Sequence, residues 1–393
     1  MKIAIFVDDY LPNSTKVAAK MLSELANQYL ASGHVVTVFV PDSKIQSSRN
    51  ETIINGVNVV SFKNGEVKHP NKIKRAINEL FLSVNAWLKL RSYFKSNHHD
   101  LIVYYSPTIF FGPIVSYLKN LWNCDSYLIL RDIFPSWAVE QGHIKKNSLI
   151  HSFFTYFEIK NYQAASVIGL QSNKNKELFD FRFHNQFKTE CLYNWAENVI
   201  PEIPNGFFRD QYNLKDKTIF FYGGNIGSAQ DMLNLIRLAT NMQKNKNAFF
   251  VFLGDGDEVD VIKNEVFRLK LDNTLVLPSV TQREYLNILS ECDVGMFSLS
   301  KKHSNHNFPG KILSYIQQRK PILGSVNKGN DIINLFEVYN AGYILENGND
   351  EQLFEAAELL LESINREILV NNAIKIIENE FSVKSAATKI KTT

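Results

Sequence analysis

Phe220-Phe221-Tyr222-Gly223-Gly224-Asn225-Ile226-Gly227-Ser228-Ala229-Gln230-Asp231 is the stretch whose reading decides the fold. An apolar run starting at Thr218 ends at two glycines, a short polar turn follows, and a helical pattern spans Asp231–Gln243. A strand that feeds a glycine turn and then a helix is the start of a βα unit. The glycines would let the turn backbone approach a phosphate. A tight turn with no ligand would read the same way.

Outward from this turn the pattern repeats. Ala248–Leu253, Leu275–Leu277, Val294–Phe297 and Pro321–Leu323 read as strands, with helices over Glu258–Leu269, Arg283–Glu291 and Lys311–Gln318. Upstream, Lys2–Val7, Val35–Val40, Leu101–Tyr105 and Ser126–Leu130 read as strands, with helices over Lys16–Ser32 and Gly112–Trp122. Alternating strands and helices predict parallel, doubly wound sheets, hence an α/β fold class. The pattern restarts after about residue 200, and Pro201, Pro204 and Gly206 read as the linker. The expected domains are 1–198 and 199–370, both Rossmann-like, with a helical tail over 371–393 that packs back on the first. In open α/β sheets ligands bind beyond the carboxyl ends of strands, so two such domains facing each other would bind in the cleft between them.

The bulk composition agrees. The chain has 393 residues, is 45% hydrophobic and carries a net charge of +3. That length suits two cores, and that charge argues against a dedicated nucleic-acid binder. Cys124, Cys191 and Cys292 are scattered without CxxC spacing, which suggests a reducing compartment and no metal cluster. The opening MKIAIFV runs at once into Asp8-Asp9, unlike a signal peptide. Leu101–Trp122 is broken by Ser106-Pro107 and Gly112-Pro113, so no run reaches membrane-span length. A cytoplasmic location is expected, with membrane contact at the surface only.

Several segments carry chemistry. In Asn305–Pro321 a Gly/Pro-containing loop opens a helix at Lys311, and a fixed lysine with helix-start amides makes an anion site. A second glycine-rich turn is expected from Gly324 onward. Gly254-Asp255-Gly256-Asp257 reads as a turn after a strand, with a divalent-metal site as its alternative. Arg131 and Asp132 stand at the carboxyl end of an apolar strand, where cleft residues or an ion pair would lie. Asn13, Ser14, Thr15 and Lys16 lie between the first strand and helix, as helix caps or substrate contacts. In the stretch 63–95, eight Lys and Arg residues face Glu66 and Glu79. There Ile73, Ile77, Leu80, Phe81, Val84, Trp87 and Leu88 form one helical stripe. Such a stripe is most often core; with this basic rim it also suits an anionic membrane surface.

With these residues in view, the chain resembles the GT-B-fold retaining glycosyltransferases of family 4. The restarted α/β pattern, the GGNIG and GDG turns and the Lys311 loop carry that resemblance. DDYLPNST at Asp8–Thr15, RDIFP at Arg131–Pro135 and Gly169-Leu170-Gln171-Ser172 are similar, more narrowly, to a bacterial O-antigen N-acetyl-L-fucosaminyltransferase-like branch. The resemblance implies a hexosamine passed from a UDP-sugar to a lipid-linked sugar acceptor at the inner face of the cytoplasmic membrane. UDP-sugar is then a co-substrate, with no metal or other cofactor. It implies that Gly224, Asn225, Gly227 and Lys311 face the donor diphosphate and that Ser279 and Val280 lie against the base. Arg131 and Asp132 would line the sugar side, with Asn13, Ser14 and Lys16 near donor and acceptor. The family commonly carries two glutamates around this loop. Their places fall at His306 and Ser314 here, so His306 or Asn307 would stand by the transferred sugar and Ser314 by the ribose. A UDP-sugar epimerase of the same architecture and a non-catalytic partner subunit are the alternative expectations.

Overall fold

The computed structural model describes residues 1–12, 14, 17–67, 69, 71–140, 142, 144–197, 199–302, 306 and 308–391. The chain packs as two compact units, Met1–Asn194 with Val383–Thr393, and Trp195–Ser382.

Among the described residues the first unit is built on β1 (Lys2–Phe6), β2 (Val35–Asp42), β3 (Arg49–Ile54), β4 (Val57–Lys63), β5 (Leu101–Ser106), β6 (Asp125–Leu130), β7 (Val167–Leu170) and β8 (Thr189–Cys191). They form one sheet in the order β3-β4-β2-β1-β5-β6-β7-β8. All pairs are parallel except β3 with β4. That edge hairpin turns on Asn55 and Gly56, both at positive φ, the backbone a tight hairpin needs. Sheet and helices share an aromatic core, in which Phe6 stacks on Phe39 at 4.8 Å and Phe39 meets Phe94 at 5.3 Å.

The stretch expected as one helical stripe forms two helices, Lys72–Leu80 and Leu82–Ser96, divided at Phe81. The core reading of the stripe is overturned. Leu82, Ala86, Leu90, Tyr93 and Phe94 are the buried set, while Ile77, Phe81, Val84, Trp87 and Leu88 are each more than a third exposed. Leu80 alone of the described stripe packs against the core. Two stripes compete at helical spacing, and the one that carries Tyr93 and Phe94 meets Phe39 and Trp122.

The second unit holds β9 (Thr218–Gly223), β10 (Ala248–Leu253), β11 (Thr274–Leu277), β12 (Val294–Ser298), β13 (Ile322–Val326) and β14 (Gly342–Glu346). Its sheet runs β11-β10-β9-β12-β13-β14, parallel throughout. Strand β13 extends through Gly324 and Ser325, which sequence reading placed in a turn. Gly324 is there for packing: a Cβ on it would lie 2.1 Å from the Phe297 ring of the neighbouring strand.

The observed division differs from 198/199 and 370/371. Residues around 197–202 are tied to the second unit, because Gln317 donates to the Glu197 carbonyl and Glu202 N to Gln318 Oε1. Pro201, Pro204 and Gly206 therefore lie inside that unit's boundary. The helix Ser363–Asn379 also stays with the second unit, packed against the helices Lys311–Gln317 and Ile332–Tyr339. The chain returns to the first unit only with Val383–Lys391, which lies along the helix Val17–Ala31 and buries Ala386, Ala387 and Ile390.

Candidate functional site

In each sheet the connections leave in opposite directions on either side of one strand pair, β1/β5 in the first unit and β9/β12 in the second. A crevice opens at the carboxyl ends of such a pair. In the second unit two segments leave from there, the Gly223–Gly227 turn after β9 and the loop to Lys311 after β12.

The turn is held from three sides. Tyr315 receives the Gly223 N–H at 3.1 Å and donates to the Met296 carbonyl at 3.0 Å, bridging β9 and β12. Gly224 N donates to Leu253 O at 2.9 Å, and Ile226 N to Asp255 O at 2.8 Å. The Tyr222 hydroxyl donates to the Asn225 carbonyl, while the Asn225 side chain donates to Gln230 Oε1 at 2.8 Å. The GDG segment is thus the partner of the GGNIG turn. A Cβ on Gly254 would fall 1.8 Å from Gly224 O, and one on Gly256 2.0 Å from Ile226 O, so this backbone-to-backbone seam requires glycine. Gly224 and Asn225 remain exposed, whereas Gly227 is buried beside Asp257 and Asn225.

Lys311 closes the other side. Its Nζ lies 3.4 Å from the centroid of the Tyr222 ring and 3.6 Å from where a Gly224 Cβ would stand. That nitrogen is shut off from solvent and has no hydrogen-bond partner, although the residue as a whole is half-buried. Burial holds the amine well below the ordinary lysine pKa. The helix it opens has only seven residues, and Gly310 before it offers no side-chain cap; with the Gly223, Gly224 and Ile226 amides already bonded within the protein, the lysine is the donor left open beside the turn.

The other residues expected on the donor side have partners of their own. The exposed Ser279 hydroxyl donates to Asp255, so the segment Ser279–Val280 is joined to the GDG turn. Ser314 is half-buried and faces the Tyr285 hydroxyl, whose pKa burial pushes up to about 12. His306 is buried, with Nδ1 3.5 Å from Asn327 Nδ2, and Asn330 donates to Asn327 Oδ1 at 3.0 Å. This polar group sits just beyond β13. Asn307 lies outside the described residues. Among the described residues no group of three or more His, Cys, Asp or Glu side chains is placed to hold a metal ion.

In the first unit Arg131 donates to the carbonyls of Leu192 at 2.9 Å and Tyr193 at 3.3 Å. The guanidinium therefore organises the chain after β8. Asp132 lies at the mouth of a cavity of about 460 Å³, with its carboxyl pushed up by the surrounding protein against the pull of Arg131. Ser14 is buried and donates to Asp9 Oδ2 at 2.7 Å, bordering a separate polar cavity of about 500 Å³. Asn13, Thr15 and Lys16 lie outside the described residues.

Tyr222, Tyr285 and Tyr315 were not anticipated. Tyr222 carried a signal, an aromatic directly before the double glycine. The others sit on helices and come to the turn only through the fold.

Comparison with known proteins fits this architecture. Residues 205–376, a stretch inside the second unit, match the family model Glycosyl transferases group 1. A probable glycosyltransferase of Pseudomonas aeruginosa, WbjE, is 25% identical over 219 residues, covering 55% of this chain and 54% of that protein. The match thus spans about half the length of that relative. Two solved structures share the fold along the whole chain. Sucrose-phosphate synthase from Thermosynechococcus elongatus has a TM-score of 0.71 at 14% identity, covering 100% of this chain and 97% of that one. Anabaena HepE, in complex with UDP and glucose, has a TM-score of 0.65 at 15% identity, covering 100% and 98%. The fold is the GT-B architecture.

Proposed function

We propose that this protein is a retaining glycosyltransferase that moves a hexosamine from a UDP-sugar to a lipid-linked sugar acceptor in bacterial surface-polysaccharide synthesis. The observation that carries the reading is the Gly224–Gly227 turn with Lys311 enclosed beside it, at the β9/β12 switch point of a group 1 glycosyl transferase domain. The UDP complex of Anabaena HepE supports a uridine diphosphate donor, and WbjE supports glycosyl transfer.

Cleaving the sugar–phosphate bond leaves charge on UDP. Lys311 and the amides of Asn225 and Gly227 are the donors for that charge, which makes the reaction metal-independent in this reading. The acceptor hydroxyl attacks from the face the diphosphate leaves, and the leaving phosphate takes its proton. No separate base is required, and Asp132 acts in positioning. Ser314 takes a ribose contact, Ser279 and Val280 flank the base, and His306 with Asn307 stands by the sugar. Asn13, Ser14 and Lys16 stand near donor and acceptor. In this reading the protein is cytoplasmic and docks on the inner membrane face through residues 72–95. The exposed Ile77, Phe81, Val84, Trp87 and Leu88, among exposed Lys74, Arg75, Lys89, Arg91 and Lys95, support that docking. Among the described residues no helix is long and apolar enough to cross a membrane.

The deciding experiment incubates the protein with a UDP-hexosamine, with and without a lipid-pyrophosphate sugar, in EDTA. UDP release that depends on the acceptor, with the anomeric configuration kept, is the expected result. Release without acceptor, or no release with any lipid-linked sugar, overturns the reading.

A further inference from the structure

The 460 Å³ cavity at the ends of β5 and β6 lies wholly within the first unit. Its walls are Ile109, Phe110, Phe134, Ala138, Ile144 and Phe154, and its charged lining residues are Arg75, Glu79 and Asp132. Arg75 Nε is 2.7 Å from Glu79 Oε1. A pyranose ring needs donors and acceptors around its perimeter, and these walls offer mostly rings and methyl groups. The volume suits a small-molecule site of apolar type.

The cavity also continues outward as apolar surface. Phe134 and Phe154 meet edge to face at 4.9 Å, Phe154 meets Phe153 at 5.4 Å, and Phe153 is 43% exposed. Leu149 and Ile150, earlier on the helix Leu149–Ala164, are exposed at 91% and 60%. On the facing side Ala76 lines the cavity and the adjacent Ile77 is exposed. Lys145 and Lys146 follow directly on Ile144 and are exposed, as is Lys74 beside Arg75. An apolar slot with an apolar apron and a basic border has the chemistry to receive a hydrocarbon chain joined to a phosphate.

We propose that this cavity binds the terminal hydrocarbon of a polyprenyl or alkyl phosphate, the lipid chain of the acceptor itself, next to its phosphate. The proposal deepens the transferase reading and rests on it for the identity of the ligand as acceptor. The phosphate would lie toward Lys74, Lys145 and Lys146, and the chain would lie against Phe134 and Phe154.

The test is titration of the full chain with monomeric farnesyl phosphate, followed by intrinsic fluorescence and by calorimetry. Saturable binding is expected that neither inorganic phosphate nor a free hexose displaces. Ala138→Phe fills the cavity floor, and Ala76→Trp fills it from an exposed helix position that leaves the core untouched. Each should weaken farnesyl phosphate by about tenfold or more while UDP-sugar affinity stays at the wild-type value. Wild-type farnesyl phosphate affinity in both variants, displacement by the hexose, or no saturable binding overturns the proposal. The UDP-sugar titration tests the transferase reading separately. Farnesyl phosphate binding without UDP-sugar binding sinks the transferase and keeps the pocket, and the reverse sinks the pocket alone.

Discussion

The Lys311 amine rests on the face of the Tyr222 ring, 3.4 Å from its centroid, enclosed and without a hydrogen-bond partner. The ring face supplies an attraction that needs no lone pair, so the nitrogen stays beside the glycine turn without being neutralised by a carboxylate. A diphosphate arriving at Gly224 would meet an uncommitted donor.

Lys311→Met keeps the length and apolar body of the side chain and removes the donor. UDP-sugar affinity by calorimetry should fall by roughly 10- to 150-fold, the worth of a hydrogen bond to a charged group. Thermal stability should hold or rise, because an enclosed amine is replaced by an apolar group. Unchanged affinity would remove Lys311 from the donor site.

The same lysine makes donor binding depend on pH. Its pKa in the free protein is lowered by burial, and pairing with a diphosphate raises it in the complex. Binding therefore takes up a proton between those two values, and affinity weakens as pH rises through that window. A UDP-sugar, whose phosphates do not titrate near neutrality, isolates the effect. Calorimetry in two buffers of different ionisation enthalpy should show proton uptake that Lys311→Met abolishes. Equal heats in both buffers would refute the linkage.

The seam between the two glycine turns makes a sharper structural prediction. In Gly256→Ala the new Cβ meets the Ile226 carbonyl, a backbone atom that cannot swing aside. The cost should be about 1–3 kcal/mol of stability, with weaker UDP-sugar binding because Ile226 belongs to the turn. Gly310→Ala is the control, since a Cβ there has nothing within 4 Å. Thermal melts of the two variants should separate clearly, and coincident melts would show that the seam can open.

How much of this was legible beforehand depended on whether a residue's role is local. The strands around β9 and β12 were legible because short apolar runs bounded by glycine, proline or aspartate admit few other readings. Gly224, Asn225, Gly227 and Lys311 were expected together as a phosphate-directed set, and the fold brings these residues to one switch point. The β3–β4 hairpin was missed although Asn55-Gly56 is a strong turn signal, because Arg49-Asn50-Glu51 on the exposed edge shows no apolar alternation. The stripe from Ile77 to Leu88 shows the limit of periodicity. It marks an apolar face without saying which of two faces the core will take. Tyr222 looked like the last residue of a strand, and only the packing of a distant helix brings the Lys311 amine onto its ring.

Glu158 offers a test of the first unit that is independent of substrate. Its side chain is fully buried, with the Tyr162 hydroxyl and Arg182 Nη2 each 3.1 Å away. Burial pushes the carboxyl from 4.5 up to about 7, with Arg182 and Tyr162 pulling the other way. The folded state thus holds this proton more tightly than the unfolded chain. The stability it contributes is full below about pH 4.5 and is lost as pH rises through about 7. Glu158→Gln stays neutral throughout and still offers an oxygen to Arg182. Between pH 5 and pH 8 the wild type should lose on the order of 1–3 kcal/mol more stability than the variant in urea denaturation. Parallel pH profiles would mean that Arg182 keeps the carboxylate charged across the whole range.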